Sequence, residues 1–422
     1  MSELTLSPKK QVQGSFTAPC SKSYAQRAIA IASLCRKPVR LENYGESDDT
    51  LAALRILTAF GGAYQLENNE LHIKKGIERS SGKNYTLDVG EAGLSARLFS
   101  AFSLLFETEI VITGHGSILQ RPMDMVIDVL EQFNKKVESK NGFLPLTISG
   151  KTIPKTIEVD GSESSQLLTG LLIALPLIDQ DTVIHVKNLK SIPYIDMTLE
   201  ILNDFGITIE HTNYSIFKIP GNQFPIAESY NIDGDWSGAS FFAVAAAIGG
   251  ELTLSNLNKN SSQADKDILL ALEKAGASIK WISNEQVFIQ KNELNAFDFD
   301  ATDCPDLFPP LVVLAAHSKG ETRIKGLNRL ANKESNRGVT LKTEFNKINI
   351  SVELDYANDT MIIQGNPQLK IDKEISFDSH NDHRIAMAVA LLAINAQVPF
   401  TIKNPQAVKK SFPGFFEEYG KI

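Results

Sequence analysis

Apolar and polar positions follow a pattern that recurs six times along the chain. Each copy has a short strand, a loop of small or polar residues, and then a helical run that is apolar nearly all round. The copies occupy residues 14–34, 87–106, 159–177, 232–250, 299–316 and 377–394. A helix without a polar face has no side to turn to water, so the pattern predicts six buried helices.

Each copy continues with elements of a second kind. Helical runs with apolar residues at three- and four-residue spacing, and charges between them, cover residues 48–62, 123–135, 194–206 and 266–277. Short alternating strands with turn residues between them follow, as in residues 64–75. These patterns predict superficial helices and antiparallel hairpins, and therefore a β-α-β-α-β-β unit repeated six times.

The repeats also predict a domain organisation. Three buried helices can close one hydrophobic core, so six copies favour an α/β fold of two pseudo-symmetric lobes with three copies each. The fourth copy begins near Ser229. We therefore expect an N-terminal lobe of residues 14–228 and a C-terminal lobe that includes residues 229–422. The strand expected in residues 1–13 fits either lobe on this pattern alone.

Composition narrows the class of protein. The chain has 422 residues and a formal net charge of −8, which does not favour a nucleic-acid-binding surface. Its cysteines, Cys20, Cys35 and Cys304, form no CxxC pair, so neither a disulfide framework nor a cysteine-rich zinc site is expected. The N-terminus lacks the apolar core of a signal peptide, and no apolar run approaches the roughly 20 residues of a membrane span. We expect a cytoplasmic protein.

The loops before the buried helices carry basic and hydroxyl side chains. They hold Lys22, Ser23 and Arg27 in the first copy, Arg97 in the second, Ser164, Ser165 and Gln166 in the third, and Asp382, His383 and Arg384 in the sixth. Helix N-termini attract anions through their free N–H groups and dipoles. Capping serines and solvated charges would explain one or two such loops, but not basic residues recurring before helices that are otherwise apolar.

These residues resemble the motifs of the enolpyruvyl transferases, and within them of the EPSP synthases (3-phosphoshikimate 1-carboxyvinyltransferases). The resemblance runs through the whole chain in order. The matching strings are SKS…R at Ser21–Arg27, GxxGxxxR at Gly90–Arg97, QRP at Gln120–Pro122, SSQ at Ser164–Gln166, SxPYIDMT at Ser191–Thr198, PDLFP at Pro305–Pro309, KESNR at Lys333–Arg337, NDHR at Asn381–Arg384 and KSFP at Lys410–Pro413.

The resemblance implies a fold and a reaction. The fold is an inside-out α/β barrel of two three-unit lobes, in which residues 1–13 belong to the C-terminal lobe. The reaction transfers the enolpyruvyl group of phosphoenolpyruvate to the 5-hydroxyl of shikimate 3-phosphate and releases phosphate, a step towards chorismate and the aromatic amino acids. The resemblance implies a monomer with two small-molecule substrates held between the lobes, and no cofactor, metal, nucleic-acid or membrane partner.

The resemblance also assigns residues, position by position. Phosphoenolpyruvate would contact Lys22, Gly93, Arg121, Gln166, Arg337, Arg384 and Lys410. Shikimate 3-phosphate would contact Lys22, Ser23, Arg27, Ser164, Ser165, Gln166, Ser191, Tyr194, Asp306, Arg329 and Lys333. Asp306 would be the base for the 5-hydroxyl, and Glu334 with Lys22 would carry the proton to carbon 3. Two like charges at roughly 5 Å repel by about 3 kcal/mol at an effective dielectric near 20, so two anionic substrates require many cations.

Several positions depart from the usual motifs of these enzymes. Glu91 and Leu94 stand where an Asn and a Thr are common, Arg329 stands where an Asn is common, and Cys20 replaces a Gly. A carboxylate beside an anionic ligand would be repelled. We therefore expect Glu91 to turn away from the ligand or to be neutralised by a cation such as Arg97 or Lys410.

Two other functions fit parts of the sequence. One is the related transfer of enolpyruvyl to UDP-N-acetylglucosamine, although residues 116–123 lack the reactive cysteine typical of that enzyme. The other is a metal-dependent hydrolase that uses His380 and His383, whose HxxH spacing can bind zinc. Arg384 beside these histidines opposes a bound cation.

Overall fold

The sixfold pattern of the sequence corresponds to six small sheets. The structure, a computed structural model, describes residues 2–79, 82–331 and 333–422. The chain divides into a continuous unit, Cys20–Ile232, and a discontinuous unit, Met1–Pro19 together with Asp233–Ile422. Each unit contains three of the sheets.

The described helices are α1 Lys22–Ala32, α2 Asp48–Ala59, α3 Gly93–Phe102, α4 Asp124–Gln132, α5 Gln166–Ala174, α6 Ile192–Asp204, α7 Trp236–Gly249, α8 Ile268–Ala275, α9 Phe308–Ala316, α10 Arg337–Asn346, α11 His383–Leu391 and α12 Phe415–Lys421. The described strands are β1 Glu3–Leu6, β2 Ser15–Thr17, β3 Val39–Glu42, β4 Ala63–Glu67, β5 Glu70–Lys75, β6 Tyr85–Asp88, β7 Ile110–Thr113, β8 Lys136–Lys140, β9 Phe143–Ser149, β10 Ile157–Asp160, β11 Thr182–Lys187, β12 Glu210–Thr212, β13 Ile216–Ile219, β14 Ser229–Asn231, β15 Glu251–Ser255, β16 Ser278–Trp281, β17 Gln286–Gln290, β18 Asp298–Asp300, β19 Gly320–Lys325, β20 Ser351–Asp355, β21 Thr360–Gly365, β22 Ser376–Asp378 and β23 Phe400–Lys403.

Three of the five described four-stranded sheets are each built from one copy, and in the same way. The strand before a buried helix lies parallel to the strand after it, and a hairpin then completes the sheet. Thus β6 pairs parallel with β7, while β7 with β9 and β9 with β8 pair antiparallel. The orders β10-β11-β13-β12 and β18-β19-β21-β20 repeat this arrangement. The β-α-β-α-β-β order of elements predicted from the sequence is confirmed for the first five copies.

The sixth copy completes its sheet differently. It has no hairpin of its own, and the N-terminal strand β1 pairs antiparallel with β23 instead, with Glu3 opposite Lys403. The resulting sheet has the order β1-β23-β22. The first strand of the chain therefore belongs to the discontinuous unit.

The expected lobe boundaries at residues 14 and 229 need correction, because two copies exchange their leading strands. Strand β2 precedes α1 in sequence but pairs parallel with β15 of the fourth copy. Strand β14 precedes α7 but pairs parallel with β3 of the first copy. Residues 14–19 therefore lie in the discontinuous unit and residues 229–232 in the continuous one.

The helices divide into buried and superficial sets as the sequence predicts. Every residue of α3, α9 and α11 is buried. In α1 the residues that are not buried are Lys22 and Ser23, and in α5 the one that is not buried is Gln166. Helices α1 and α5 are thus enclosed except at their N-terminal ends, where candidate ligand-binding residues lie. No helix in the described ranges is long and apolar enough to cross a membrane.

The aspartates that recur at the strand ends have a structural role. Oδ1 of Asp88, Asp160, Asp300 and Asp378 accepts a hydrogen bond from the backbone N–H two residues later, at distances of 2.7–3.0 Å. This turn redirects the chain from the strand towards the buried helix. The repeated acids therefore shape the loops.

Gly170 provides a test of core packing. A Cβ at this position of α5 would lie 2.4 Å from the carbonyl oxygen of Leu98 in α3. We expect Gly170→Ala to lower the free energy of unfolding by about 1–3 kcal/mol, although alanine favours a helix by about 1 kcal/mol over glycine.

The matched control is Gly420→Ala in α12, where an added Cβ has no described atom within 4 Å. Urea unfolding followed by circular dichroism would measure both variants. A Gly170 variant as stable as the Gly420 variant would contradict the close packing of α3 on α5.

Candidate active site

The continuous unit brings the N-terminal ends of its three buried helices to one site. Helix α1 begins at Lys22, α3 at Gly93 and α5 at Gln166. Ser21 caps α1 by accepting a hydrogen bond from Tyr24 N at 3.5 Å, and Ser164 Oγ accepts from Gln166 N at 3.1 Å. The free N–H groups at helix N-termini can bind anions.

Arg27 links three helices at this site. It is 1% exposed, and its Nε donates to Thr198 Oγ1 of α6 at 2.9 Å. Its Nη2 donates to Thr169 Oγ1 of α5 and to the Tyr194 carbonyl oxygen, both at 3.4 Å. Each of these acceptors is a neutral oxygen. Burial lowers the pKa of Arg27 to about 10, so it remains charged at neutral pH.

Two further cations, Arg97 and Arg121, lie close together near the start of α3. Arg97 donates to Gln166 Oε1 at 3.2 Å and to the Pro122 carbonyl oxygen at 3.1 Å. Burial, and then the charge of Arg121, lower the pKa of Arg97 to about 10. A Cβ on Gly93 would lie 2.6 Å from Nη1 of Arg121. Gly93 therefore provides the space in which the Arg121 guanidinium lies.

Lys22 is paired in the structure. Its Nζ lies 3.0 Å from Oδ2 of Asp49, which is buried in the first turn of α2. From the sequence, Asp49 is indistinguishable from an ordinary acidic residue at a helix start. Its carboxylate places the Lys22 ammonium at the start of α1.

The remaining predicted residues of this unit lie at the starts of α5 and α6. Ser165 is buried directly before α5. Ser191 precedes α6 with a φ of 60°, in the left-handed region. The Tyr194 ring lies 5.8 Å from the Arg27 guanidinium carbon. Of these residues, Tyr194 lies directly beside the buried arginine, since its carbonyl oxygen also accepts from Arg27.

Two of the residues that depart from the family motifs, Glu91 and Leu94, lie at the start of α3. Glu91 Oε2 accepts hydrogen bonds from Ser117 N at 3.0 Å and Ser117 Oγ at 2.8 Å. The Glu91 carboxylate therefore joins the loop before α3 to the loop that carries Arg121. Leu94 is 9% exposed and packs in the hydrophobic core of this unit.

The discontinuous unit contains a cluster centred on Arg337, the first residue of α10. Arg337 is 1% exposed and donates to three carboxylates. Its Nη1 lies 2.7 Å from Asp306 Oδ1, its Nη2 lies 2.6 Å from Glu334 Oε2, and its Nε lies 2.8 Å from Asp382 Oδ2. Burial opposes the charge of Arg337, but these carboxylates outweigh it and raise its pKa.

Asp306 is surrounded by cations. Besides Arg337, its oxygens lie 2.9 Å from Arg384 Nη2 and 3.5 Å from Lys333 Nζ. Burial alone would raise the pKa of the Asp306 carboxyl, but Arg384, Lys333 and Arg337 together hold it well below its usual range. Asp306 is therefore ionised throughout the physiological pH range.

Arg384 has hydrogen-bonding capacity that the described residues leave unused. It is buried, and its Nη2 donates to Asp306 Oδ2 at 2.9 Å and to Ser237 Oγ at 2.7 Å. Its Nε and Nη1 have no hydrogen-bond partner among the residues that the structure describes. Buried donors of this kind require an acceptor, and two N–H groups on one guanidinium fit a phosphate or carboxylate.

The other predicted residues of this unit adjoin the cluster. Lys410 Nζ lies 3.8 Å from Glu334 Oε1. Burial lowers the pKa of Lys333, Asp306 raises it, and Arg337 and Arg329 lower it further. Arg329 is thus close enough to Lys333 to act on its charge.

The two histidines of the HxxH motif do not form a metal site together. His380 Nε2 lies 2.9 Å from Oε1 of the buried Glu344, and this hydrogen bond raises the pKa of His380. His383 lies instead with Glu334 and Asp382, whose potential ligand atoms fall within 4.8 Å of one another. Arg337 donates to both of these carboxylates, so a cation at that position would face a guanidinium.

The fold identifies the structural class. A solved structure of EPSP synthase from Acinetobacter baumannii aligns with a TM-score of 0.82 and 24% identity over 99% of this chain and 98% of that chain. The enolpyruvyl transferase NikO from Streptomyces tendae aligns with a TM-score of 0.76 and 15% identity, over 99% and 96%. The protein has the enolpyruvyl transferase fold.

Sequence comparison identifies the family. Residues 6–419 match the family model described as EPSP synthase (3-phosphoshikimate 1-carboxyvinyltransferase). The chain is 36% identical to the 3-phosphoshikimate 1-carboxyvinyltransferase of Clostridium novyi, covering 98% of this chain and 95% of that relative. It is also 36% identical to that of Haemophilus influenzae, covering 100% and 99%. The chain belongs to the EPSP synthase family.

Arg337 provides a test of the cluster. We expect Arg337→Met to lower the free energy of unfolding by about 3–5 kcal/mol, because three buried or half-buried carboxylates lose their shared partner. Urea titration would measure this change.

Arg323→Met is the matched control, since Arg323 forms an exposed pair with Glu321 at 2.6 Å. Its loss should cost no more than about 1 kcal/mol. Equal losses in the two variants would show that the charges of the cluster are not coupled through Arg337.

Proposed function

We propose that the protein carries out the reaction of its family with the residues described above. That reaction transfers the enolpyruvyl group of phosphoenolpyruvate to the 5-hydroxyl of shikimate 3-phosphate and releases phosphate. The observation that carries the proposal is a set of buried guanidinium groups whose charge or hydrogen-bond donors are not fully matched by the described residues. Arg27 and Arg97 donate to neutral oxygens, and Arg384 has two donors without a described partner. Phosphate and carboxylate groups would supply the missing acceptors.

The reaction brings two anions into bonding distance. The 5-hydroxyl oxygen attacks carbon 2 of phosphoenolpyruvate while carbon 3 takes up a proton. The tetrahedral adduct then loses phosphate, together with a proton from carbon 3, and the enol ether remains. The positive charges of the site offset the repulsion between the substrates and stabilise the developing adduct.

In the continuous unit, we assign Lys22, Gly93, Arg121 and Gln166 to phosphoenolpyruvate. The residues assigned to shikimate 3-phosphate there are Lys22, Ser23, Arg27, Ser164, Ser165, Gln166, Ser191 and Tyr194. The serine hydroxyls and the Arg27 guanidinium are suitable donors to a phosphate. Gly93 acts by leaving space for Arg121, and any side chain at this position would displace the guanidinium.

In the discontinuous unit, we assign Arg337, Arg384 and Lys410 to phosphoenolpyruvate, and Asp306, Arg329 and Lys333 to shikimate 3-phosphate. Arg337 donates four of its five N–H groups to the three carboxylates, since its Nη2 also donates to Asp382 Oδ1 at 3.3 Å, and it contributes charge and one remaining N–H. Arg384 contributes Nε and Nη1, the two donor nitrogens that lack a described partner.

Asp306 would act as the base only when the substrates are bound. With Arg384, Lys333 and Arg337 around it, its pKa is too low for efficient proton abstraction near neutral pH. Substrate anions that bind these cations weaken their hold on Asp306 and raise its pKa. The proton of the 5-hydroxyl can then pass to Asp306 as the oxygen attacks carbon 2.

Glu334 and Lys22 would carry the proton at carbon 3. Arg337 and Lys410 favour the ionised carboxylate of Glu334 in the free protein. A ligand anion that competes for these cations would favour protonation of Glu334. Acid–base groups of this kind typically contribute about 10²–10⁴-fold to the rate.

The direct test is phosphate release from phosphoenolpyruvate, measured with shikimate 3-phosphate, with UDP-N-acetylglucosamine and with neither. We expect release that depends on shikimate 3-phosphate. Release that depends on the nucleotide sugar would assign the chain to the related transferase reaction.

A cytoplasmic location and a monomeric state remain predictions, and light scattering after gel filtration would test the monomeric state.

Lys22 is the first residue to test. We expect Lys22→Met to abolish phosphate release while the melting temperature stays close to that of the wild type, because Lys22 lies at a helix start and outside the core. Lys37→Met, at an exposed position of the same unit, is the control and should retain activity. Near-normal activity of a folded Lys22 variant would remove this residue from the site.

Glu91 tests the departure from the family motif. We expect Glu91→Asn to change the Michaelis constant for phosphoenolpyruvate by less than about threefold, equivalent to about 0.7 kcal/mol. The carboxylate already accepts hydrogen bonds from Ser117 N and Oγ, which stabilise its charge. Glu109→Gln, at an exposed position, controls for loss of a negative charge. A tenfold fall in the constant would reveal a repulsion that Ser117 does not offset.

A further inference from the structure

A buried acid that the proposed reaction does not use lies behind Arg384. Asp265 belongs to a short 3₁₀ helix, Ala264–Asp267, and is 4% exposed. Its Oδ2 accepts a hydrogen bond from Ser237 Oγ in the first turn of α7. Its Oδ1 has no hydrogen-bond partner among the described residues. Burying a carboxylate with one oxygen unsatisfied is costly, so this arrangement requires an explanation.

The hydrogen bonds around Ser237 have a defined direction. A hydroxyl has one proton to donate, and Ser237 donates it to Asp265. The oxygen lone pairs are then available to Arg384, whose Nη2 donates to Ser237 Oγ at 2.7 Å. A hydroxyl that donates to a carboxylate is also a stronger acceptor. Asp265 thus fixes Ser237 as an acceptor for the guanidinium.

Arg384 is held from two sides by this chain of contacts. On one side its Nη2 donates to Ser237, and on the other the same nitrogen donates to Asp306 Oδ2 at 2.9 Å. With Nη2 fixed, the plane of the guanidinium is fixed too, and so are the directions of Nε and Nη1. Burial and the charge of Asp306 raise the pKa of Asp265 to about 6, while Arg384 lowers it, which is consistent with their proximity.

The backbone around Ser237 does not depend on Asp265. Asp235 caps α7 by accepting from Ser237 N at 3.1 Å. Gln263 accepts from Trp236 N at 3.1 Å and donates to the Gly234 carbonyl oxygen at 2.8 Å. Asp265 holds the hydroxyl group, and other residues hold the helix start. Its removal should therefore leave α7 in place.

We propose that Asp265 is a positioning residue, which holds the Ser237 hydroxyl as an acceptor and thereby aims the free N–H groups of Arg384 at the anionic substrate. The inference rests on the proposed function, in which Arg384 binds phosphoenolpyruvate. Asp265 itself does not touch the substrate. It orients Arg384 through the hydroxyl of Ser237.

The experiment compares Asp265→Ala, Asp265→Asn, Ser237→Ala and the double variant Ser237→Ala/Asp265→Ala. Asp267→Ala, in the same 3₁₀ helix, is the control for loss of a nearby acid. Steady-state kinetics with phosphoenolpyruvate and shikimate 3-phosphate would be measured, and thermal melting would show that each variant is folded.

We expect Asp265→Ala to lower kcat/KM for phosphoenolpyruvate by about tenfold or more, because small errors in the aim of a binding group are costly. The Michaelis constant for shikimate 3-phosphate should change by less than about threefold, since Arg384 is not assigned to it. Asp265→Asn retains an acceptor oxygen and should restore activity to within about threefold of wild type. Ser237→Ala should match Asp265→Ala, and the double variant should be no worse than either, since both act through one contact.

An active wild type with an unaffected Asp265→Ala variant would overturn this inference and leave the proposed function standing. Additive losses in the double variant, or an Asp265→Asn variant as impaired as Asp265→Ala, would also overturn it. A wild type that released no phosphate with shikimate 3-phosphate would overturn the proposed function and this inference with it.

Discussion

The charge of Arg337, buried among Asp306, Glu334 and Asp382, is the constraint on which the discontinuous unit depends. Three carboxylates this close together would repel one another if the guanidinium were absent. With it, each carboxylate is paired with the same cation, and together they join the start of α10 to the turn before α9 and the cap of α11. The same interaction also helps to lower the pKa of Asp306, which we propose as the base.

The groups that contact buried cations differ between the two units. In the continuous unit, Arg27 and Arg97 contact hydroxyl, amide and carbonyl oxygens, so their positive charge is solvated by dipoles but not cancelled. In the discontinuous unit, cations and carboxylates are balanced in one cluster. We propose that the first arrangement binds the substrate anions and that the second holds the acid and the base of the reaction. The repeated architecture thus supports different electrostatic roles.

Much of the fold could be predicted because the apolar pattern that marks its buried helices is local in sequence. Apolar runs without a polar face, such as residues 236–249, can only be buried, and their recurrence gave the repeat. The partners of the leading strands could not be predicted, because β2 and β14 have three residues each and either would fit either neighbour.

In the site, basic residues at helix starts were recognisable as a pattern. Asp49 and Asp265 were not, because acids near helix starts are common and their partners are distant in sequence. The HxxH spacing was misleading, since His380 at a φ of 52° lies in the turn before α11 and pairs with Glu344.

The exchange of leading strands has a consequence for the order in which the protein can form. The continuous unit is complete once Ile232 has been synthesised, because β14 is its last strand. Within the described ranges, the strand partners of residues 3–17 all lie after Ile232. Strand β2 must wait for β15, and β1 must wait for β23, nearly 400 residues later in the chain. Closing such long loops is slow, so docking of the N-terminal strands belongs to the last stage of folding.

Lys9 contacts the carbonyl oxygen of Ile422, so the N-terminal segment lies close to the C-terminal residue. A circular permutant that joined them and opened the chain before Cys20 would make both units continuous, and it would replace the slowest pairing in the molecule with a local one.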